Sequence, residues 1–194
     1  MSDKPFVLGI GGTTRAGSSS ELVLRAAMKA IEARGAEIEV LAGPDMVLPL
    51  YAPEIVERDP KAERLIELVR RADALVISSP GYHGSISGMI KNALDYVEDT
   101  AKDERPYLDG RAVGCIACAY GWQATGSTLI ALRTIVHALR GWPTPLGVAA
   151  NSTTRLFGEE GECIDMGLAG NLDILGAQVM QFVNNARPQD QSAS

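Results

Sequence analysis

Leu8-Gly9-Ile10-Gly11-Gly12-Thr13-Thr14-Arg15-Ala16-Gly17-Ser18-Ser19-Ser20-Glu21 carries the chain from an apolar strand, through a loop of glycines and hydroxyls, into an amphipathic helix. Such a loop brings backbone N–H groups, hydroxyl donors and the positive end of a helix dipole to one point, which suits a phosphate. Arg15 adds a planar fork of donors. A second stretch, Ser79-Pro80-Gly81-Tyr82-His83-Gly84-Ser85, stands in the same position after another apolar strand. Two such loops in one open sheet point to a phosphate-bearing cofactor.

Hydrophobic period separates the elements on either side of that opening segment. Residues 6–11 form a short apolar run bounded by Pro5, hence a buried strand. Leu22, Val23, Ala26, Ala27, Ala30 and Ile31 recur with helical spacing until Gly35. Residues 38–41 make a second strand, and 43–60, with four prolines, a long loop of the kind that is usually functional or covers a partner surface. A second helix is marked by Leu65, Ile66, Leu68, Val69 and Ala72, and a third strand by 74–77. Met89, Ile90, Ala93, Leu94 and Val97 form the next helical stripe, and 113–119 a fourth strand. A helix over 128–139, a short fifth strand at 146–149 and a last helix over 170–184 complete the pattern.

Strand and helix thus alternate five times, and the strands are apolar on both faces. That predicts a parallel sheet covered by helices on each side. Right-handed crossovers leave few topologies, and the five-stranded order 2-1-3-4-5 fits this length best. The loops after strands one, three and four then converge beside strand one. Residues 1–185 are expected to form one domain, and 186–194 a polar, disordered tail.

Composition narrows the function classes. With 194 residues and 46% hydrophobic content the chain can bury one sizeable core. A net charge of −6 argues against a nucleic-acid surface, though not against one local cationic pocket. No apolar run is long enough to span a bilayer and residues 1–5 lack the basic-then-apolar order of a signal peptide, so the expected location is the cytoplasm. Cys115 and Cys118 match C-x-x-C, but three positions apart on a strand they point to opposite faces and read as small core residues. No metal ligand set is assigned.

Two well-known phosphate motifs fail on the first loop. The dinucleotide fingerprint starting at Gly9 would need glycine where Thr14 stands, and the triphosphate loop starting at Gly12 has Ser18 in place of its lysine. A single phosphate held by Thr13, Arg15, Ser18 and Ser20 remains. The competing reading is an ordinary helix start, because Ser18-Ser19-Ser20-Glu21 satisfies the capping box.

With these residues in place, the chain resembles the NADPH-dependent FMN reductase family of flavodoxin-like proteins. The family's first loop, roughly G-S-x-R-x-x-S-x-N/T, matches residues 12–20 with conservative exchanges. Its second signature, roughly T-P-E-Y-N-x-S-x-P-G-x-L-K-N-x-x-D, matches residues 79–95. Leu48-Pro49-Leu50-Tyr51 also resembles the family's dimer-side loop. Gly81 stands where the family often has glutamate, leaving room for a closer backbone approach to the ring. His83 stands where it often has asparagine, which opens a pH-dependent hydrogen bond.

The resemblance implies a flavodoxin-like three-layer sandwich that binds FMN. The phosphate would meet Thr13, Arg15, Ser18, Ser19 and Ser20, and the ring would meet Pro80, Gly81, Tyr82, His83 and Gly84. Tyr120, Gly121, Trp122 and Gln123 would approach the pyrimidine edge. It also implies a homodimer or homotetramer and flavin or quinone-type reduction by NADH or NADPH. Hydride would pass from nicotinamide to flavin N5 and on to free flavin for a monooxygenase, or to a quinone, azo dye or metal oxyanion. The cofactors carry that chemistry, so no catalytic side chain is assigned. Backbone N–H groups of residues 81–84 and 120–123 are the candidates for stabilising charge at flavin N1/O2. Tyr82 either touches the ring or wedges against the next helix, and Trp122 either stacks on a ring or seals a subunit contact. Trp142 reads as packing, His137 as a packed or surface residue, and Lys91 and Asp95 as a helix pair. Arg105, Arg111 and Arg155 are all candidate 2′-phosphate partners. The alternative function is a flavodoxin-type electron carrier without a substrate site of its own.

Overall fold

Strand β1 (Phe6–Gly11) is buried along its whole length, because its alternate side chains enter two different cores. These and all other structural features come from a computed structural model that describes residues 4–186. Phe6, Leu8 and Ile10 join one cluster and Val7 the other. Strands β3 (Ala74–Tyr82) and β5 (Ala112–Ala119) divide in the same way, with Cys115 on one side and Cys118 on the other. A strand covered on both faces shows as an apolar run rather than an alternation, which is why these three were readable.

Helices α2 (Pro60–Arg71), α3 (Gly88–Asp95) and α4 (Trp122–Ala138) cover the first core. Helices α1 (Ser19–Glu32) and α5 (Met166–Ala186) cover the second. Strand β2 (Glu37–Ala42) pairs with β1, β1 with β3 and β3 with β5, all parallel. The three-layer sandwich is therefore as expected.

The expected fifth strand exists in two pieces. β6 (Trp142–Pro143) and β7 (Val148–Asn151) both lie parallel on the far edge of β5. Between them Thr144 N–H still donates to Val113 O at 3.0 Å, but Pro145 has no N–H to continue the ladder. The remaining strand, β4 (Ser85–Ile86), folds back antiparallel on the end of β3, bringing the sheet to seven strands where five were expected.

Other boundaries move for identifiable reasons. β3 runs past Ile77 because Ser78 and Ser79, though polar, are fully buried and bonded. Ser78 Oγ donates to Ser20 O at 2.8 Å, and Ser79 Oγ to Pro80 O at 2.9 Å. α4 begins at Trp122 rather than 128, and α5 at Met166 rather than 170. The loop over 43–60 contains a short 3-10 turn, Gly43–Met46. Asn92 clips this loop to α3: its Nδ2 donates to Pro49 O, and its Oδ1 accepts from Tyr51 N–H, each at 2.8 Å. Lys91 and Asp95 form the expected pair. Trp142, expected to serve packing, is 59% exposed and lies against the Phe182 ring, 6.3 Å between centroids. Ala186, where the tail was expected to begin, still belongs to α5, and the rest of that expected tail, 187–194, lies outside the described residues. Among the described residues no helix is long and apolar enough to cross a membrane.

Candidate functional site

The carboxyl ends of β1, β3, β5 and β7 meet on one edge of the sheet, beside the point where the strand order reverses between β1 and β3. There the loops enclose a cleft of about 240 Å³. Thr13, Arg15, Ser18, Ser19 and Ser20 line one end, and Pro80, Gly81, Tyr82 and Tyr120 the other.

The first end is built by a sharp exit from β1. Gly12 adopts φ +89°, a conformation that side chains disfavour, and its N–H donates to Ser78 O at 3.3 Å. Thr13 Oγ1 then accepts from Arg15 N–H at 3.2 Å, closing a local turn. Ser18 is the N-cap of α1, and its Oγ accepts from Glu21 N–H at 3.4 Å. Glu21 does not complete the box on Ser18. Its Oε2 accepts from Gly17 N–H at 3.0 Å and its Oε1 from Arg25 Nε at 2.8 Å, which neutralises the carboxylate outside the cleft lining. The helix-cap reading is thus correct for one serine, and donors remain beyond it. Among the described residues, the N–H groups of Ser19 and Ser20 meet no acceptor and the Arg15 guanidinium meets no partner. Two amides, a guanidinium and clustered hydroxyls are the donor set of an oxyanion site, and they fit a phosphate ester.

At the other end, β3 turns into β4 through Tyr82-His83-Gly84-Ser85. His83 (φ +51°) and Gly84 (φ +84°) are both left-handed, as a tight two-residue hairpin of matched twist requires. Histidine and asparagine are among the residues that tolerate this region, so the turn itself accounts for His83. His83 and Gly84 form the hairpin tip and do not line the cleft. The space beside Gly81 belongs to α4 rather than to a ring: a Cβ there would lie 2.6 Å from Thr128 Oγ1 and 2.9 Å from Ala119 Cβ.

The third wall comes from the end of β5. Tyr120 is 82% exposed and Tyr82 51% exposed, so two aromatic rings flank the cleft with free surface. Gly121 N–H is not available as a donor, because it is taken by Asn151 Oδ1 at 3.0 Å. Trp122 and Gln123 open α4 instead of forming a loop, and their N–H groups meet no acceptor among the described residues. Trp122 lines a neighbouring hollow, not the cleft. Cys118, Ala119 and Ser152 complete the lining, and sequence reading did not assign them to it. Ser152 follows β7, which is parallel and ends on the same edge, so its strand position was the available signal. Burial raises the Cys118 thiol, which keeps it a neutral apolar wall.

Residues 5–155 match the family model described as NADPH-dependent FMN reductase, and the chain belongs to that family of oxidoreductases, which use FMN and a nicotinamide. It is 30% identical over 170 residues to an NAD(P)H-dependent FMN reductase of Pseudomonas aeruginosa, spanning 85% of this chain and 88% of that one. An FMN-dependent NADPH-azoreductase of Staphylococcus aureus is 31% identical over 136 residues, 69% of each chain. The fold is shared with FerB, a flavoenzyme NAD(P)H:(acceptor) oxidoreductase from Paracoccus denitrificans. The TM-score is 0.75 at 21% identity, covering 92% of this chain and 98% of that one. A flavodoxin WrbA-like protein from Agrobacterium tumefaciens superimposes with a TM-score of 0.65 at 14% identity, covering 95% and 100% of the two chains.

Proposed function

We propose that this cleft holds FMN, with the phosphate at the start of α1 and the ring between Tyr82 and Tyr120, and that the protein reduces it with a nicotinamide. The observation that carries the reading is the donor set left over at that helix start: Arg15 and the amides of Ser19 and Ser20. When bound, FMN supplies a ring that accepts hydride at N5 and passes electrons to an acceptor. The chain's own work is to bind and orient. Arg15 and the first turn of α1 anchor the phosphate end. Pro80, Gly81 and Tyr82 would hold the ring end. The Trp122 side chain lies outside the cleft, and the free Trp122 and Gln123 amides at the positive end of α4 would supply the donors for negative charge on the pyrimidine side. No side chain is required as acid or base.

The same reading makes residues 1–185 one FMN-binding unit and the active form a homodimer or homotetramer. Support for the assembly lies in the 47–58 loop, which is held rigidly yet presents apolar tips. Arg58 makes a two-point pair with Asp99 (2.7 and 2.8 Å) and sits 5.0 Å over the Tyr51 ring, while Leu50 and Val56 are 84% and 90% exposed. Three free cysteines suit the reducing cytoplasm. The acceptor is drawn from quinones, azo compounds, metal oxyanions, or free flavin destined for a monooxygenase; the azoreductase relative supports the azo arm.

The test is an anaerobic titration of the FMN-loaded protein with NADH and NADPH, followed by acceptor screening. Bleaching of the bound flavin by a nicotinamide alone is expected. A colourless protein that takes up no FMN at saturation would overturn the reading.

A further inference from the structure

Beside the cleft lies a second hollow, of about 420 Å³, for which the flavin reading has no use. One ridge separates the two. Tyr120 and Ser152 face the cleft, whereas Trp122, Asn151 and Thr154 face the hollow. The ridge is fixed from both sides, by Gly121 N–H on Asn151 Oδ1 (3.0 Å) and Ser152 N–H on Ala119 O (3.0 Å). The hollow thus adjoins the cleft, on the side where the far end of a ligand reacting there could extend.

The wall chemistry is that of a nucleoside site. Trp122, 68% exposed, lines the hollow together with the buried Leu156, so an aromatic ring and an apolar side chain are both offered to a base. Thr154 and Asn171, both exposed, and the second carboxylate oxygen of Asp165 make no hydrogen bond to the described residues and are open to a ligand in the hollow. The first Asp165 oxygen accepts from Leu168 N–H at 2.9 Å, which fixes the side chain at the start of α5. A fixed carboxylate with a free oxygen pairs well with the donor of a ribose 2′-hydroxyl.

Charge decides between the two nicotinamides. The hollow is lined by no basic residue and by one carboxylate, Asp165. Arg155 stands between two lining residues but is not itself in the lining; its Nε donates to Phe157 O at 2.9 Å, which turns the base of the guanidinium towards the chain. Arg111 donates to Ala72 O and Tyr107 O, and Arg105 to Asp109 O and Gly110 O, all on the opposite edge of the sheet. Within the lining a 2′-phosphate would meet like charge and no cation. We infer that this hollow is the adenosine subsite of the nicotinamide substrate, and that it selects NADH over NADPH. The inference rests on reading the neighbouring cleft as the flavin site.

The test separates the two readings. ADP-ribose and 2′-phospho-ADP-ribose are titrated into the FMN-loaded protein carrying Trp142→Phe, so that Trp122 alone reports by fluorescence. ADP-ribose is expected to bind at least ten-fold more tightly, and Trp122→Ala, read by calorimetry, to weaken it at least ten-fold. Asp165→Asn retains an equally good helix cap and is expected to narrow the NADH-to-NADPH ratio of kcat/KM about ten-fold. Equal or reversed affinity for the two probes, or ADP-ribose binding untouched by Trp122→Ala, overturns the inference. If the FMN-loaded protein is bleached by NADH yet ADP-ribose does not bind, the subsite falls and the flavin reading stands. If FMN is not taken up but ADP-ribose binds at Trp122, the flavin reading falls and the nucleoside site stands.

Discussion

Arg15 and Glu21 flank the same helix start with opposite charges, and their partners decide what each does. Glu21 is satisfied by Gly17 N–H and Arg25, while the Arg15 guanidinium meets nothing among the described residues. Arg15→Ala is expected to raise the FMN dissociation constant about ten-fold or more, equivalent to about 1.4 kcal/mol, in a flavin fluorescence titration. An unchanged constant would move the phosphate elsewhere. The residue types of this loop were legible, because three serines, two threonines and an arginine exceed what one helix cap uses. Which donors stay free was not legible, since it depends on the direction of Glu21 and on Ser78, 58 positions away from Ser20. Cys115 supplies a second residue-scale test. Burial pushes its thiol up to about 12 from 9.0, so the unfolded chain ionises near 9.0 while the folded one resists. The associated stability is fully present below that lower value and is lost as pH rises towards about 12. Melting temperature is therefore expected to fall less steeply between about pH 8.5 and 11 in Cys115→Ala than in the parent.

Elements are read from period, and their joints from contacts that period does not contain. The stripes of α1, α2 and α3 and the apolar runs of β1, β3 and β5 followed from one-face or two-face burial. The β3–β4 hairpin escaped because it is too short for a period and is set by two left-handed residues, His83 and Gly84. The joint between β3 and α4 is narrow at Gly81. Gly81→Ala is expected to destabilise the fold by about 1–3 kcal/mol in chemical denaturation, because its Cβ would overlap Thr128 Oγ1 at 2.6 Å. Combining it with Thr128→Ala should cost less than the sum of the two changes, since the second removes the clashing atom. Additive costs would show that α4 is not what requires glycine there.

At the scale of the molecule, a loop that is rigid and apolar at its tips calls for cover. Leu50→Asp together with Val56→Asp is expected to convert a dimer or tetramer to a monomer in sedimentation, because both side chains are exposed and carry none of the packing within the chain. An unaltered oligomer, or a parent protein that is already monomeric, removes that loop from the assembly. The alternation of the main strands and helices, the two-sided core and the hydroxyl-rich turn before α1 were determined by the sequence alone. Each is written in local pattern: periodicity, glycine placement and hydroxyl density along neighbouring positions. Tertiary structure alone decided that the end of β7 shares the cleft, that Trp122 faces a separate hollow, and that Arg105 and Arg111 lie on the opposite edge from it. Those outcomes depend on which strand ends and helix starts meet across the sheet, and such distances arise only when remote segments pack on a common core.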